Sequence, residues 1–322
     1  QPHVRRDRKG AGCRHHERRR GVWAEFVISD RRAPTRAKHR TGRFLTATGP
    51  TVARMTTFTD QDLSGAHFER VTMDGATFHR VSFDGATFRR VHLNRSDLRG
   101  AMIEGARWSG VELVDVVIDG ELRNVIVNGV DIGPLVEAEL NRRTPERAKM
   151  RPTDPDGFRE AWSIVTRRWD ETIERARTLP AESLHARVNG EWSFIETLRH
   201  LGFATAAWVG RMVLGDPSPW HPLDLPWDEA PGWDGIPWDR EVRPSLDEVL
   251  ALRHERREMV ARVFDGLTSE QLASHVSRTE PGWPQIAGFP FAECLSIVLN
   301  EEWEHRNFAE RDLDALVAGT TG

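Results

Sequence analysis

The chain has 322 residues, enough for two ordinary domains. Charged residues make up 29% and hydrophobic residues 39%, an ordinary globular balance. No apolar run approaches the ~18 residues a membrane-spanning helix needs, and no charged start followed by an apolar core marks a secretory signal. The net charge of −4 conceals a split, with +11 on residues 1–54, −2 on 55–152 and −13 on 153–322.

Residues 1–54 carry arginine clusters such as Arg18-Arg19-Arg20 and no sustained hydrophobic period. Such a composition cannot bury a core, so this basic head is expected to be disordered. One functional reading is an arm for nucleic acid or another anionic surface. The reading favoured here is a misplaced start codon, because Met55 is followed at once by regular patterning. Two cysteines, Cys13 and Cys294, make no disulfide framework, and a reducing, cytoplasmic setting is the expectation.

Over residues 58–132 a large apolar residue recurs every five positions, from Leu63, Phe68, Met73, Phe78, Phe83 and Phe88 on to Leu113 and Ile118, twelve in succession. Two residues before nearly every one stands a small or β-branched residue, as in Ala66, Val71, Ala76 and Val81. The step from Ile118 to Leu122 is one residue short, and the period then resumes at Val127 and Ile132. A period of five fits neither a helix nor a flat strand, but it fits a coil with four faces, with the large and small residues inward. The pattern resembles the pentapeptide-repeat family, which implies a right-handed quadrilateral β-helix. Trp108, large for an interior, and the slip at Gly120-Glu121-Leu122 depart from that family. Some members mimic DNA through an acidic surface. Residues 63–132 hold 8 basic and 10 acidic residues, too weak a field for mimicry, so a rigid scaffold or docking module is expected.

Gly133-Pro134 ends the coil, and residues 133–155 read as a charged linker with a short helix over Leu135–Arg143. Residues 156–318 read as four helices, about Phe158–Leu179, Ser193–Leu214, Leu246–Phe264 and Phe291–Val317. Their apolar stripes include Trp162, Val165, Trp169 and Ile173 on the first and Phe194, Leu198, Leu201 and Trp208 on the second. Ser245 and Glu248 stand at capping-box spacing before the third. The long segment Asp216–Arg243 carries four tryptophans, and a segment of that length is expected to be functional or a folded cover. Four helices of this size fit a bundle. Its acidic surplus argues against nucleic acid.

On the fourth helix Cys294, Val298, Glu301, His305 and Phe308 share one face, so a carboxylate and an imidazole interrupt an apolar stripe. Glu301 and His305 are i, i+4 and can converge on one ion, and His200 lies beside the stripe of the second helix. A His from one helix and a Glu-plus-His pair from another is metal-ligand arithmetic. A surface Glu–His helix pair gives the same spacing, and from the residues alone that reading is favoured. Cys294 is expected to be a small core residue, and His254 to lie on a solvated face.

Residues 189–201, Asn-Gly-Glu-Trp-Ser-Phe-Ile-Glu-Thr-Leu-Arg-His-Leu, resemble the second-helix signature of the DinB-like superfamily, and residues 300–306, Asn-Glu-Glu-Trp-Glu-His-Arg, resemble its fourth-helix signature. Many members carry His where Glu301 stands. The mycothiol-dependent maleylpyruvate isomerases of that superfamily use His, Glu and His, the set that His200, Glu301 and His305 match. The resemblance implies an up-down-down-up four-helix bundle holding a divalent metal, commonly zinc or nickel. It implies an enzyme using a low-molecular-weight thiol such as mycothiol or bacillithiol against an electrophilic substrate, by S-transfer or isomerisation. The joint arrangement resembles an actinobacterial set of proteins, and a homodimer is compatible with it. The reading from another class is a non-catalytic binding or stress-response adaptor that docks a partner through the coil. Metal content separates the two.

Overall fold

The computed structural model describes residues 56–228 and 230–320; the basic head and Cys13 lie outside them. The described residues fall into two compact units, residues 56–111 and residues 112–320.

In the repeat the backbone follows the sequence period. From Asp60 to Gly120 every fifth residue has positive φ, each two places after a large apolar residue. Glycine takes this conformation freely, and an arginine such as Arg80 (φ 54°) does so at some cost. The next left-handed residue is Asn124, four places on, so the turn pattern slips where the hydrophobic pattern slips. Tight turns close on Leu63, Met73 and Phe83, whose carbonyls accept from Ala66 N, Ala76 N and Ala86 N at 2.9–3.0 Å. Phe78, Phe83 and Phe88 meet edge to face, with centroids 5.5 and 5.6 Å apart.

The large apolar residues of the repeat lie exposed in this structure. Phe68, Phe83 and Leu93 are 56%, 49% and 66% exposed, and no strand occurs among residues 56–125. A β-helix interior closes when each coil hydrogen-bonds to the next, whereas the turn bonds here span three residues.

The second unit begins at Glu112 and so takes in the last repeats, ahead of the Ile132 boundary expected from sequence. A short hairpin pairs β1 (Ile126–Val127) with β2 (Val130–Asp131). Residues 133–155, expected as a charged linker with a short helix over Leu135–Arg143, hold that helix and one further turn. They form α1 (Gly133–Arg143) and a 3-10 turn (Pro145–Met150), with Arg147 2.7 Å from Glu137 and Met150 buried in the helical core.

Four long helices follow: α2 (Pro155–Ala176), α3 (Phe194–Thr205, continuing as a π-helix over Ala206–Val213), α4 (Leu246–Asp265) and, after the short α5 (Ser269–Leu272) and the hairpin of β3 (His275–Arg278) and β4 (Ile286–Pro290), α6 (Phe291–Thr320). Side-chain caps start α2 to α4. Asp154 accepts from Gly157 N, and Ser193 with Glu196 and Ser245 with Glu248 form reciprocal capping boxes. α2 and α3 each pack on both α4 and α6. The anticipated stripes are buried between them, including Val165, Trp169, Leu198, Leu201, Cys294 and Val298.

α3 is buried on nearly every side because the segment between α3 and α4 covers its outer face. Buried Arg199 ties that cover down, its guanidinium donating to the carbonyls of Leu223, Asp239 and Val242. Phe203 stacks on Trp220 and Trp283, with centroids 5.2 and 5.3 Å away, and Trp227 and Trp233 complete the cluster. Three of the four tryptophans of the long segment therefore form, with Phe203 and Trp283, a second, aromatic packing layer.

Candidate metal centre

α3 carries His200 two turns after its Ser193 cap, so the capping box sets where the imidazole sits along the bundle. α6 carries Glu301 and His305 one turn apart. All three side chains are buried. One donor atom from each lies within 4.8 Å of the other two. Glu301 Oε2 is 3.0 Å from His305 Nε2 and 3.5 Å from His200 Nε2. Donors arranged tetrahedrally at roughly 2.0–2.2 Å from one ion are about 3.4 Å apart, so small side-chain shifts would suffice to share one.

The protonation pattern points the same way. His200 Nδ1 lies 3.0 Å from the Leu225 carbonyl. A carbonyl only accepts, so Nδ1 carries the hydrogen, and a metal-binding histidine is commonly oriented by such a bond. Burial pushes the His200 pKa down, keeping the ring neutral despite Glu301 beside it. Its Nε2 lone pair then faces the carboxylate. Burial alone would raise the Glu301 carboxyl, but the two imidazoles beside it outweigh burial and hold the group below its ordinary value. Although close to both rings, Glu301 Oε2 has no hydrogen bond of adequate geometry and no solvent. An anionic oxygen and a lone pair converging in a dry interior call for a cation, so the residues present fit a divalent metal.

The surroundings hold the ligands still. Gly202 lets the cover approach α3 closely, since a Cβ there would lie 2.8 Å from Asp224 Oδ1. That approach brings Leu225 onto His200. Behind α6, Trp169 Nε1 donates to the Glu302 carbonyl at 3.0 Å, and Arg253 grips the Glu302 carboxylate at 2.8 and 3.2 Å. Glu302 thus faces away from the site, and half-buried Glu304 does not join it. Trp192 rests against both imidazoles, its ring 4.4 Å from His200 and stacked 5.8 Å from His305. The two remaining candidates stand as the sequence suggests. Cys294 is wholly buried, its thiol pushed up to about 12 by burial, and His254 is exposed beside Glu258.

The model of the DinB superfamily matches residues 164–309, and that of pentapeptide repeats, in 9 copies, matches residues 48–87. The chain joins a pentapeptide-repeat region to a DinB superfamily domain. No curated protein and no solved structure matches it. All three residues singled out in the sequence of the DinB domain come together. In the sequence Trp192 stands out only as part of the helix signature, because stacking on the distant His305 leaves no periodic trace. The Leu225 carbonyl carries no side-chain signal at all.

Proposed function

We propose that this chain is a divalent-metal-dependent DinB superfamily protein in which His200, Glu301 and His305 hold zinc or nickel and leave one coordination position open for a low-molecular-weight thiol. The observation that carries the reading is the unpartnered, buried Glu301 Oε2 between two imidazoles, one of them with its tautomer fixed by Leu225. Bound there, a divalent ion would lower a thiol's pKa and supply a thiolate at neutral pH. The chain's own residues orient the ligands and exclude water. Among the described residues no other cysteine competes at the cluster, since Cys294 is protonated and enclosed. The reaction class is thiol S-transfer to an electrophile, or isomerisation, with mycothiol or bacillithiol as the thiol.

On the same reading residues 58–132 close into a right-handed quadrilateral β-helix that serves as a rigid scaffold, and the four helices form an up-down-down-up bundle. The five-residue recurrence of left-handed positions supports the first.

Metal content tests the centre. The full chain purified with zinc should hold about one ion per molecule, His200→Ala and His305→Ala should each lose most of it, and His254→Ala should lose none. A wild-type protein without metal would end this reading. A screen of the metal-loaded protein against mycothiol, bacillithiol and a panel of electrophiles should then show thiol consumption that a chelator abolishes.

A further inference from the structure

The three ligand side chains are nearly inaccessible, with 4%, 5% and 10% of their surface exposed for His200, Glu301 and His305. A centre that exchanges metal or admits a thiol has to open. The indole of Trp192 is only half-buried and lies against both imidazoles. It also lines a crevice with Ala186, Phe194, Ala309 and Asp312 that is too narrow for water.

The indole is held from outside the bundle. Its Nε1 donates to Asp228 Oδ1 at 3.0 Å. Asp228 belongs to the cover between α3 and α4 and is itself held by Arg240, 2.7 Å from the same oxygen. On the other side, Trp192 hangs between two fixed points. The Val188–Glu191 turn closes through Glu191 N to the Val188 carbonyl at 2.9 Å, with Asn189 and Gly190 both left-handed, and Ser193 is locked as the α3 cap. The backbone around Trp192 is therefore pinned on both sides, and the mobile part is the side chain.

We infer that Trp192 is a gate over the open coordination position, latched shut by its hydrogen bond to Asp228. Ligands reach the centre when the latch breaks and the indole swings off the imidazoles. This rests on the metal reading above, and the test separates the two.

Zinc alone is the probe. Uptake by the metal-free full chain and release to a chromophoric chelator are measured for wild type, Trp192→Phe, Asp228→Ala and the double variant. Phenylalanine keeps a ring over the site but has no N–H, and alanine removes the acceptor. A hydrogen bond to a charged group is worth about tenfold or more in the closed-to-open equilibrium, the low end applying to this partly exposed pair. Each single variant should therefore speed both uptake and release by about tenfold, with stoichiometry and equilibrium affinity nearly unchanged. The double variant should be no faster than either single, because all three lose the same bond. Faster release without faster uptake, or wild-type rates in the variants, would overturn the gate while leaving the metal centre standing. Absence of zinc from the wild-type protein would overturn the metal reading and the gate with it. Circular dichroism checks the folding of both single variants, and either one suffices for the rate comparison.

Discussion

Asp224 is fully buried beside α3, with His221 N donating to Oδ2 at 2.9 Å, Arg256 3.4 Å from the same oxygen, and Oδ1 without a partner. Burial pushes its pKa from 3.8 up to about 6, against the pull of Arg256. The folded state thus keeps this proton to a higher pH than the unfolded chain does. Its contribution is favourable at low pH and is lost as pH rises from about 4 through about 6. Asp224→Asn removes the titration and keeps the shape. Denaturant unfolding of both proteins at pH 4 and pH 7 should show the stability difference moving in the variant's favour by roughly 2–3 kcal/mol as pH rises. A constant difference would mean that Asp224 titrates normally. At this scale the sequence was legible where chemistry interrupts a period. Glu301 and His305 stand out from an apolar stripe, whereas Asp224, Leu225 and Trp192 act through contacts that the cover creates.

The pair of α4 and α6 is joined by Arg253 and Glu302, both buried, with the guanidinium also 5.1 Å over the Trp169 ring. Removing one partner strands the other charge in a dry interior. Arg253→Ala should therefore cost about 3–5 kcal/mol in unfolding free energy, while the double replacement Arg253→Met with Glu302→Leu should recover most of that loss. A single variant as stable as wild type would show that water reaches Glu302. The helices themselves were readable to within a few residues, because caps and 3.6-residue stripes are local signals. The Ser245–Glu248 capping box formed as its spacing suggested. In residues 133–155 the short helix was readable, but the docking of the 3-10 turn that follows it was not. Their polar surface conceals one anchoring residue, Met150, whose burial depends on what packs over it.

Across the whole molecule the repeat offers the clearest division of outcomes. If residues 58–132 close into a β-helix, Phe83→Asp places an unpaired charge in a packed interior, and the full chain should lose a β-type unfolding transition seen by circular dichroism. If Phe83 stays half-exposed, as in this structure, the melting profile should not change. Among the described residues no helix is long and apolar enough to cross a membrane, in line with the charge distribution. Sequence by itself determined the presence of a pentapeptide-repeat region and of a helical DinB domain, the four-residue slip in the repeat, the helix starts and the three candidate ligands, because each is written as a period, a cap or an interrupted stripe along one segment. Tertiary structure alone decided that the cover lies on α3, that Leu225 orients His200, that Asp228 holds Trp192 over the imidazoles, and that Glu302 turns away to Arg253. Those contacts join groups far apart in the chain through backbone carbonyls and side-chain hydrogen bonds, and neither leaves a mark on the spacing of residue types.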